Sequence, residues 1–267
     1  MRKYVYLVRM ANDIKEINRE FYNNAYSSNN VLLGLLHTLF SYDQQSKSRL
    51  NYREIKAVLK LIEPGSKVNF LDYGFGHGSL LLKLPRQVSV YGCDIAEEAV
   101  FKLEKIAEML KRDIKVTTVE NFDSFTKGVK FDLISCSHVL EHVDDDNEMV
   151  NEFKKLLTSN GKLIINLPVN EVWIDPKHAR TYTSKSASSL LESNGFKILK
   201  IIEEDKLTAF FLTHEVSSTR KSPLKLAFRF LRLAFGILPL EVSQAAGKLL
   251  PKKYQNQQLI IIAANNG

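Results

Sequence analysis

The chain has 267 residues, 45% of them apolar and 25% charged. That composition is ordinary for a globular protein, argues against a largely disordered chain, and leaves room for one α/β domain with a sizeable core plus an appendage. The net charge of +7 does not make the whole protein basic: residues 217–255 carry eight Lys and Arg against Glu241 alone, and the other residues balance at 29 of each sign.

Two cysteines, Cys93 and Cys136, fall inside predicted buried strands, where they read as packed thiols and point to a reducing, cytosolic setting. The first ten residues, M-R-K-Y-V-Y-L-V-R-M, fit a short strand or an extended arm and are too interrupted for a signal sequence. No run approaches the ~20 uncharged apolar residues that a membrane span requires. Residues 13–26 form the first predicted helix, with Ile14, Ile17, Phe21 and Tyr22 at helical spacing. Residues 31–40 and 49–62 are two more, the second stopped by Pro64-Gly65.

From residue 68 the pattern alternates strand and helix. Strands are expected at 68–72, 88–93, 114–119, 131–136, 161–167, 196–202 and 257–263, with helices near 79–84, 95–112, 145–158 and 184–194. This is a doubly wound α/β arrangement with a parallel sheet. Ligands in such sheets sit beyond the carboxyl ends of the strands, where Asp72, Asp94, Asn121-Phe122, Ser137-His138 and the turn after Pro168 all fall.

The first strand runs into V-N-F-L-D-Y-G-F-G-H-G, residues 68–78. Glycines at 74, 76 and 78 let a ligand approach the backbone and permit positive φ in the turn. Asp94 closes the next apolar run, where a carboxylate can accept both ribose hydroxyls of an adenosine. A dinucleotide fingerprint would place its third glycine where Ser79 stands, so the spacing argues against NAD. Asp72 can hold a cation such as the amino group of a methionine moiety. Cap or surface-pair roles for such a strand-end acid are the bland alternative.

These residues, together with F-D-L-I-S-C-S-H-V-L-E-H-V at 131–143 and L-L-T-S-N-G-K-L-I-I-N-L-P at 156–168, resemble the class I S-adenosylmethionine-dependent methyltransferases over roughly residues 54–202. The resemblance implies a Rossmann-like seven-stranded sheet and S-adenosyl-L-methionine as cofactor. Asp72, Gly74, Gly76 and Gly78 would surround its methionine end, and Ser137 would also contact the cofactor. Asp94 would hold the ribose, Ile95 would flank the adenine, and Asn121 and Phe122 would close over it. In this family a leading helix often covers the cofactor and touches the substrate; a docked helix without ligand contact is the alternative.

His138, Glu141 and His142 are the candidate catalytic residues. On a helix their offsets would bring all three to one face. The segment is similar to quinone-ring O-methyltransferases, whose acid-x-x-Glu-His arrangement can hold a divalent cation; here His138 replaces the acid. A cation, a general base, or simple packing of a helix start all remain open, and no residue is assigned to a metal. Trp173, His178, Arg180 and Tyr182 form a candidate acceptor wall, or else a loop ending in a helix cap at Thr183 or Ser184.

Residues 217–255 form a basic amphipathic helical insert before the last strand. Pro223 and Pro239 bracket L-K-L-A-F-R-F-L-R-L-A-F-G-I-L, which puts Lys225, Arg229 and Arg232 on one stripe of an apolar cylinder. Such a helix suits an anionic membrane surface; a lid over the site or a homodimer contact are the other readings, and nucleic acid is disfavoured. The expected organisation is an N-terminal helical cap at 1–63, a cofactor-binding core at 64–216 and 256–267, and the insert. The expected activity is O-methylation of a lipid-linked or membrane-adjacent small molecule or glycan by a cytoplasmic, peripheral enzyme. An NAD-type oxidoreductase and a non-catalytic binding module are the alternatives.

Overall fold

The computed structural model describes residues 16–26, 42–62, 66–172, 175, 177–217 and 223–266. The expectations for residues 1–10, for the helix at 31–40, for the Pro64-Gly65 stop and for Trp173 lie outside them.

Helix α1 covers residues 16–26. The following elements are α2 (Tyr42–Leu59), β1 (Val68–Tyr73), α3 (Ser79–Lys83), β2 (Val88–Asp94), α4 (Glu97–Met109) and β3 (Ile114–Thr118). After a short turn of 3-10 helix come α5 (Phe122–Thr126), β4 (Phe131–Ser137), α6 (Asp146–Leu156), β5 (Leu157–Pro168), α7 (Ser184–Ser193) and β6 (Phe196–Glu204). Three helices, α8 (Lys206–Ser217), α9 (Pro223–Ile237) and α10 (Leu240–Leu249), precede β7 (Gln258–Asn265).

The seven strands make one sheet in the order β3-β2-β1-β4-β5-β7-β6. Its first five strands are parallel, as the alternating pattern predicts, but β7 runs antiparallel between β5 and β6. The sheet is therefore mixed. The chain leaves β1 in one direction through β2 and β3 and resumes on the other side at β4, so a crevice opens between the carboxyl ends of β1 and β4.

Alternation along β1 divides the core in two. Leu71 and Tyr73 face Val150, Phe153, Ala187 and Leu191 from α6 and α7. Val68 and Phe70 face Leu50 and Ile55 of α2 and Ala99 and Leu103 of α4. Asp72 falls on the α2 side by the same period of two.

Three boundaries differ from the sequence reading, two of them for identifiable reasons. Helix α6 stops at Leu156 rather than 158, because β5 begins at Leu157 with a bulge against β4; an added Cβ on Gly161 would lie 3.0 Å from the Phe131 carbonyl oxygen. Helix α2 begins at Tyr42, seven residues before the expected start. The helical block after β6 starts at Lys206 rather than 217: Asp205, at φ +77, accepts the Thr208 amide at 3.1 Å and the Ser46 hydroxyl at 2.8 Å, which caps α8.

Helices α8 to α10 carry a small core of their own, in which Phe228 and Phe235 pack on Phe210 and Phe211. Arg49 of α2 ties down the end of α9 by donating to the Leu238 and Gly236 carbonyls at 2.5 and 2.8 Å. The opposite side exposes Phe230, Leu231, Ile237, Val242 and Leu249. The side chains of Lys225 and Arg229 lie outside the description, so the basic stripe rests on sequence. Among the described residues no helix is long and apolar enough to cross a membrane.

Candidate active site

The turn after β1 takes the form the three glycines predict. Gly74, Gly76 and Gly78 have φ of +80, +57 and +68. At Gly74 a Cβ would also fall 2.2 Å from Val139 Cγ2, so conformation and neighbour together demand glycine there. The loop is fastened to β2: the Gly74 amide donates to the Cys93 carbonyl at 2.7 Å, and the Gly76 amide to Asp94 Oδ2 at 2.7 Å. Asp94 Oδ1 accepts the Ala96 amide at 3.0 Å. Burial raises the Asp94 pKa against these backbone donors. A carboxylate offers about four acceptor directions, of which the Gly76, Ala96 and Ile95 amides use up to three, so capacity remains for a ribose hydroxyl.

Asp72 is buried at the crevice floor. The Ser135 hydroxyl donates to its carboxylate, and Asn51 of α2 donates to Ser135 Oγ at 3.2 Å. The other oxygen, Oδ1, has no hydrogen-bond partner among the described residues. Burial pushes the Asp72 pKa up to about 7. An orphaned buried carboxylate oxygen beside a glycine cradle is a receptor for a cationic head group, which would supply the missing partner and restore the charge. The site therefore fits the amino end of S-adenosylmethionine, with the nucleoside lying toward Asp94.

Helix α1 roofs this crevice. Asn18, Tyr22 and Tyr26, spaced by four, share its inner face. The Tyr26 ring stands edge-on to His77 at 4.8 Å, and Tyr22 edge-on to His142 at 6.3 Å. Arg19 pairs with Glu120 at the end of β3, and the Lys177 ammonium lies 3.9 Å from the Phe21 ring centroid. Of the residues expected on its apolar face, Tyr22 points inward, whereas Ile17 and Phe21 are 51% and 48% exposed. Asn18 is buried with both side-chain polar atoms unpartnered among the described residues, as befits a roof over a polar ligand.

The His138-Val-Leu-Glu141-His142 segment departs from its expected geometry. It is a turn rather than a helix: His138 has φ +56, and helical structure resumes only at Asp146. Both His138 nitrogens are engaged, Nδ1 with Glu141 Oε1 at 3.2 Å and Nε2 with Gln258 Oε1 at 2.7 Å. Burial, with Lys47 nearby, holds the His138 pKa below its ordinary value. Glu141 is fully buried, a cost to its charge that His138 and His142 outweigh, so its pKa is lowered. His142 Nδ1 lies 3.1 Å from the Lys177 carbonyl, and burial lowers its pKa. What the turn brings to Glu141 and His142 is His178: one ligand atom from each of the three lies within 4.8 Å of the others. The acid-x-x-Glu-His cation arrangement is thus not reproduced with His138 as its first member.

The acceptor wall is also revised. Arg180 donates to the Leu140 and Asp144 carbonyls at 2.9 and 2.6 Å. Tyr182 is buried and donates to Asp146 Oδ2 at 2.6 Å. Both brace the 138–145 turn from behind. Thr183 caps α7 in a reciprocal pair with Ser186, as one of the two sequence readings has it. Phe122 belongs to the core, edge-on to Tyr73 at 5.1 Å, which corrects its expected place over the adenine. Asn121 stays exposed at the turn, while Ile95 and Ser137 are half-buried at the ends of β2 and β4. Asn18, Asn51, Ser135, Glu171 and Gln258 have no sequence signal that marks them; they enter only through tertiary contact.

Sheet order, glycine cradle and paired acids together define a class I methyltransferase fold. Residues 71–163 match the family model for a methyltransferase domain. A ubiquinone biosynthesis O-methyltransferase of Actinobacillus pleuropneumoniae serotype 5b (strain L20) is 35% identical over 108 residues, which are 38% of this chain and 45% of that protein. The matched region thus spans under half the length of that relative. Among solved structures, the 1,6-didemethyltoxoflavin-N1-methyltransferase of Burkholderia thailandensis superposes with a TM-score of 0.60 at 14% identity, covering 96% of this chain and 91% of that one. The magnesium protoporphyrin IX methyltransferase of Synechocystis PCC 6803, solved with S-adenosylmethionine, gives 0.57 at 17%, covering 94% and 96%. At those identities the likeness is one of fold. The chain thus has the fold of the class I S-adenosylmethionine-dependent methyltransferases, with a match to a methyltransferase domain at residues 71–163.

Proposed function

We propose that the protein transfers the methyl group of S-adenosylmethionine to an oxygen of a small acceptor held at or near a membrane surface. The observation that carries the donor half is Asp72, buried beside the glycine cradle with an oxygen that no described residue satisfies. The cofactor brings the reactive sulfonium, and the residues here bind, align and exclude water. Asp72 holds the amino group, Asp94 the ribose, and α1 closes over both. The acceptor enters beside Glu141, His142 and His178, the groups placed to acidify its hydroxyl or take up its proton.

The acceptor half is supported by the O-methyltransferase named above and by α9 and α10, which expose Phe230 and Ile237 at 64% and 61% within the basic part of the chain. A prenylated ring or a lipid-linked glycan intermediate has the matching chemistry: a polar head to methylate and a tail that stays in lipid. Calorimetric titration of the full chain with S-adenosylhomocysteine and with NAD tests the donor assignment. One site for the first and none for the second is the expected result; binding of NAD alone refutes it.

A further inference from the structure

We propose that Glu141, His142 and His178 bind a divalent transition-metal ion of the zinc type, with His138 positioning Glu141 rather than ligating. The inference rests on the methyltransferase reading for its purpose but on separate residues for its chemistry. One ligand atom from each side chain lies within 4.8 Å of the other two, a separation that small side-chain movements close around an ion. Two imidazoles and one carboxylate suit zinc, cobalt or iron better than magnesium, which prefers oxygen donors.

The surroundings of the two histidines give the independent observation. His142 Nδ1 faces the Lys177 carbonyl at 3.1 Å, and a carbonyl only accepts, so Nδ1 carries the hydrogen and Nε2 keeps its lone pair. His178 Nδ1 faces Glu171 at 3.2 Å, a carboxylate–imidazole pair with the same consequence. Ligand histidines are held in this way, with the far nitrogen donating to a carbonyl or carboxylate and the near one left for the ion. The two rings sit 4.8 Å apart at 71°. Glu141 completes the set. It is fully buried, with His138 Nδ1 facing Oε1 at 3.2 Å and Oε2 without a hydrogen-bond partner among the described residues. A buried carboxylate held in its charged form with one oxygen unmet is a group that an ion would stabilise.

His138 is excluded as a ligand by its own contacts. Nε2 is taken by Gln258 at 2.7 Å and Nδ1 by Glu141, so it can orient the carboxylate but has no nitrogen to spare. When bound, the ion would make a hydroxyl presented to it more acidic.

The test uses the full chain, stripped with a chelator, dialysed, and titrated with Co²⁺ alone while visible absorption and calorimetric heat are recorded. Saturation at one equivalent, displacement by Zn²⁺, and no displacement by a hundredfold excess of Mg²⁺ are expected. His178→Ala and Glu141→Gln should each weaken Co²⁺ by at least about 100-fold, and Glu171→Gln and His138→Ala by about tenfold, as supporting residues do. Circular dichroism and S-adenosylhomocysteine affinity on the same samples check folding and the donor site. Absence of saturable Co²⁺ binding, unchanged affinity in His178→Ala, or a larger loss in His138→Ala than in His178→Ala overturns the proposal. A chain that binds the donor and no ion refutes this site alone, whereas a chain that binds no donor refutes the methyltransferase reading.

Discussion

The amide of Gly76 donates to the carboxylate of Asp94 across 2.7 Å, so the acid at the tip of β2 holds the cofactor loop in shape before any ligand arrives. Asp94→Ala therefore removes two things together, a receptor for hydroxyls and a clasp on the loop. Donor affinity should fall more than about 100-fold, since hydrogen bonds to a charged group are worth ~1.5–3 kcal/mol each. The fold should persist, because the strand pairing of β1 and β2 does not use this side chain. Calorimetry with S-adenosylhomocysteine and a thermal melt decide the matter; undiminished affinity refutes the assignment.

Asp72 makes a pH-dependent prediction. Its pKa in the folded chain is about 7, against 3.8 for the unperturbed group. Between those values the native state binds more protons than the unfolded one, so its contribution is favourable at acid pH and is lost as pH rises through about 7. Asp72→Asn should flatten that dependence and raise the stability of the ligand-free chain at pH 8 by on the order of 2–3 kcal/mol. It should also abolish donor binding. Denaturant melts at pH 5 and pH 8 measure the first effect; an unchanged difference between the two pH values in the variant counts against it. Donor binding near pH 7 should also release a proton, seen as a heat that varies with buffer ionisation enthalpy.

Arg180 supplies a test of bracing against substrate contact. Through the Leu140 and Asp144 carbonyls it holds the turn that carries Glu141 and His142. Arg180→Ala should cost about 1–3 kcal/mol of stability and lower kcat, while donor affinity stays within about twofold. A raised KM for the acceptor with stability intact would return Arg180 to the acceptor wall.

The roof helix is tied to the body through Arg19 and Glu120, an exposed ion pair of the kind worth little to stability. Arg19→Glu should leave the melting temperature within a few degrees yet speed donor dissociation several-fold. Stopped-flow displacement of a fluorescent donor analogue measures the rate, and an unaltered rate shows that α1 does not gate the crevice.

Phe230 and Ile237 protrude from α9 on the side away from its contacts with α8. Replacing both with Asp should reduce sedimentation with anionic liposomes at least tenfold, given ~25 cal/mol per Å² of apolar surface withdrawn from water. Equal sedimentation of variant and parent, or none of the parent, dismisses a membrane role for this face.

Much of the fold is legible in the sequence because buried strands and glycine turns are local. Runs such as 68–72 and 131–136 announce themselves, and Gly74, Gly76 and Gly78 stand where the backbone turns left-handed. The antiparallel insertion of β7 is not local, since hydrophobic periodicity carries no direction. The candidate segment from His138 to His142 shows the same limit. Offsets of three and four suggest a helical face, but the left-handed conformation at His138 breaks it, and His178 arrives from a loop 36 residues after His142. Asn51 and Ser135 support Asp72 from a helix and a strand that meet only in three dimensions.

Strand β7 lies between β5 and β6, and its Gln258 holds His138. During synthesis both neighbouring strands are complete well before residue 258 leaves the ribosome, and until then each presents an open hydrogen-bonding edge that could pair wrongly with another chain. The protein therefore acquires a finished candidate site only once β7 has been threaded into a gap that must be kept waiting for it. Variants that weaken α8 to α10 would delay that closure, and their first symptom would be insoluble protein rather than slow turnover.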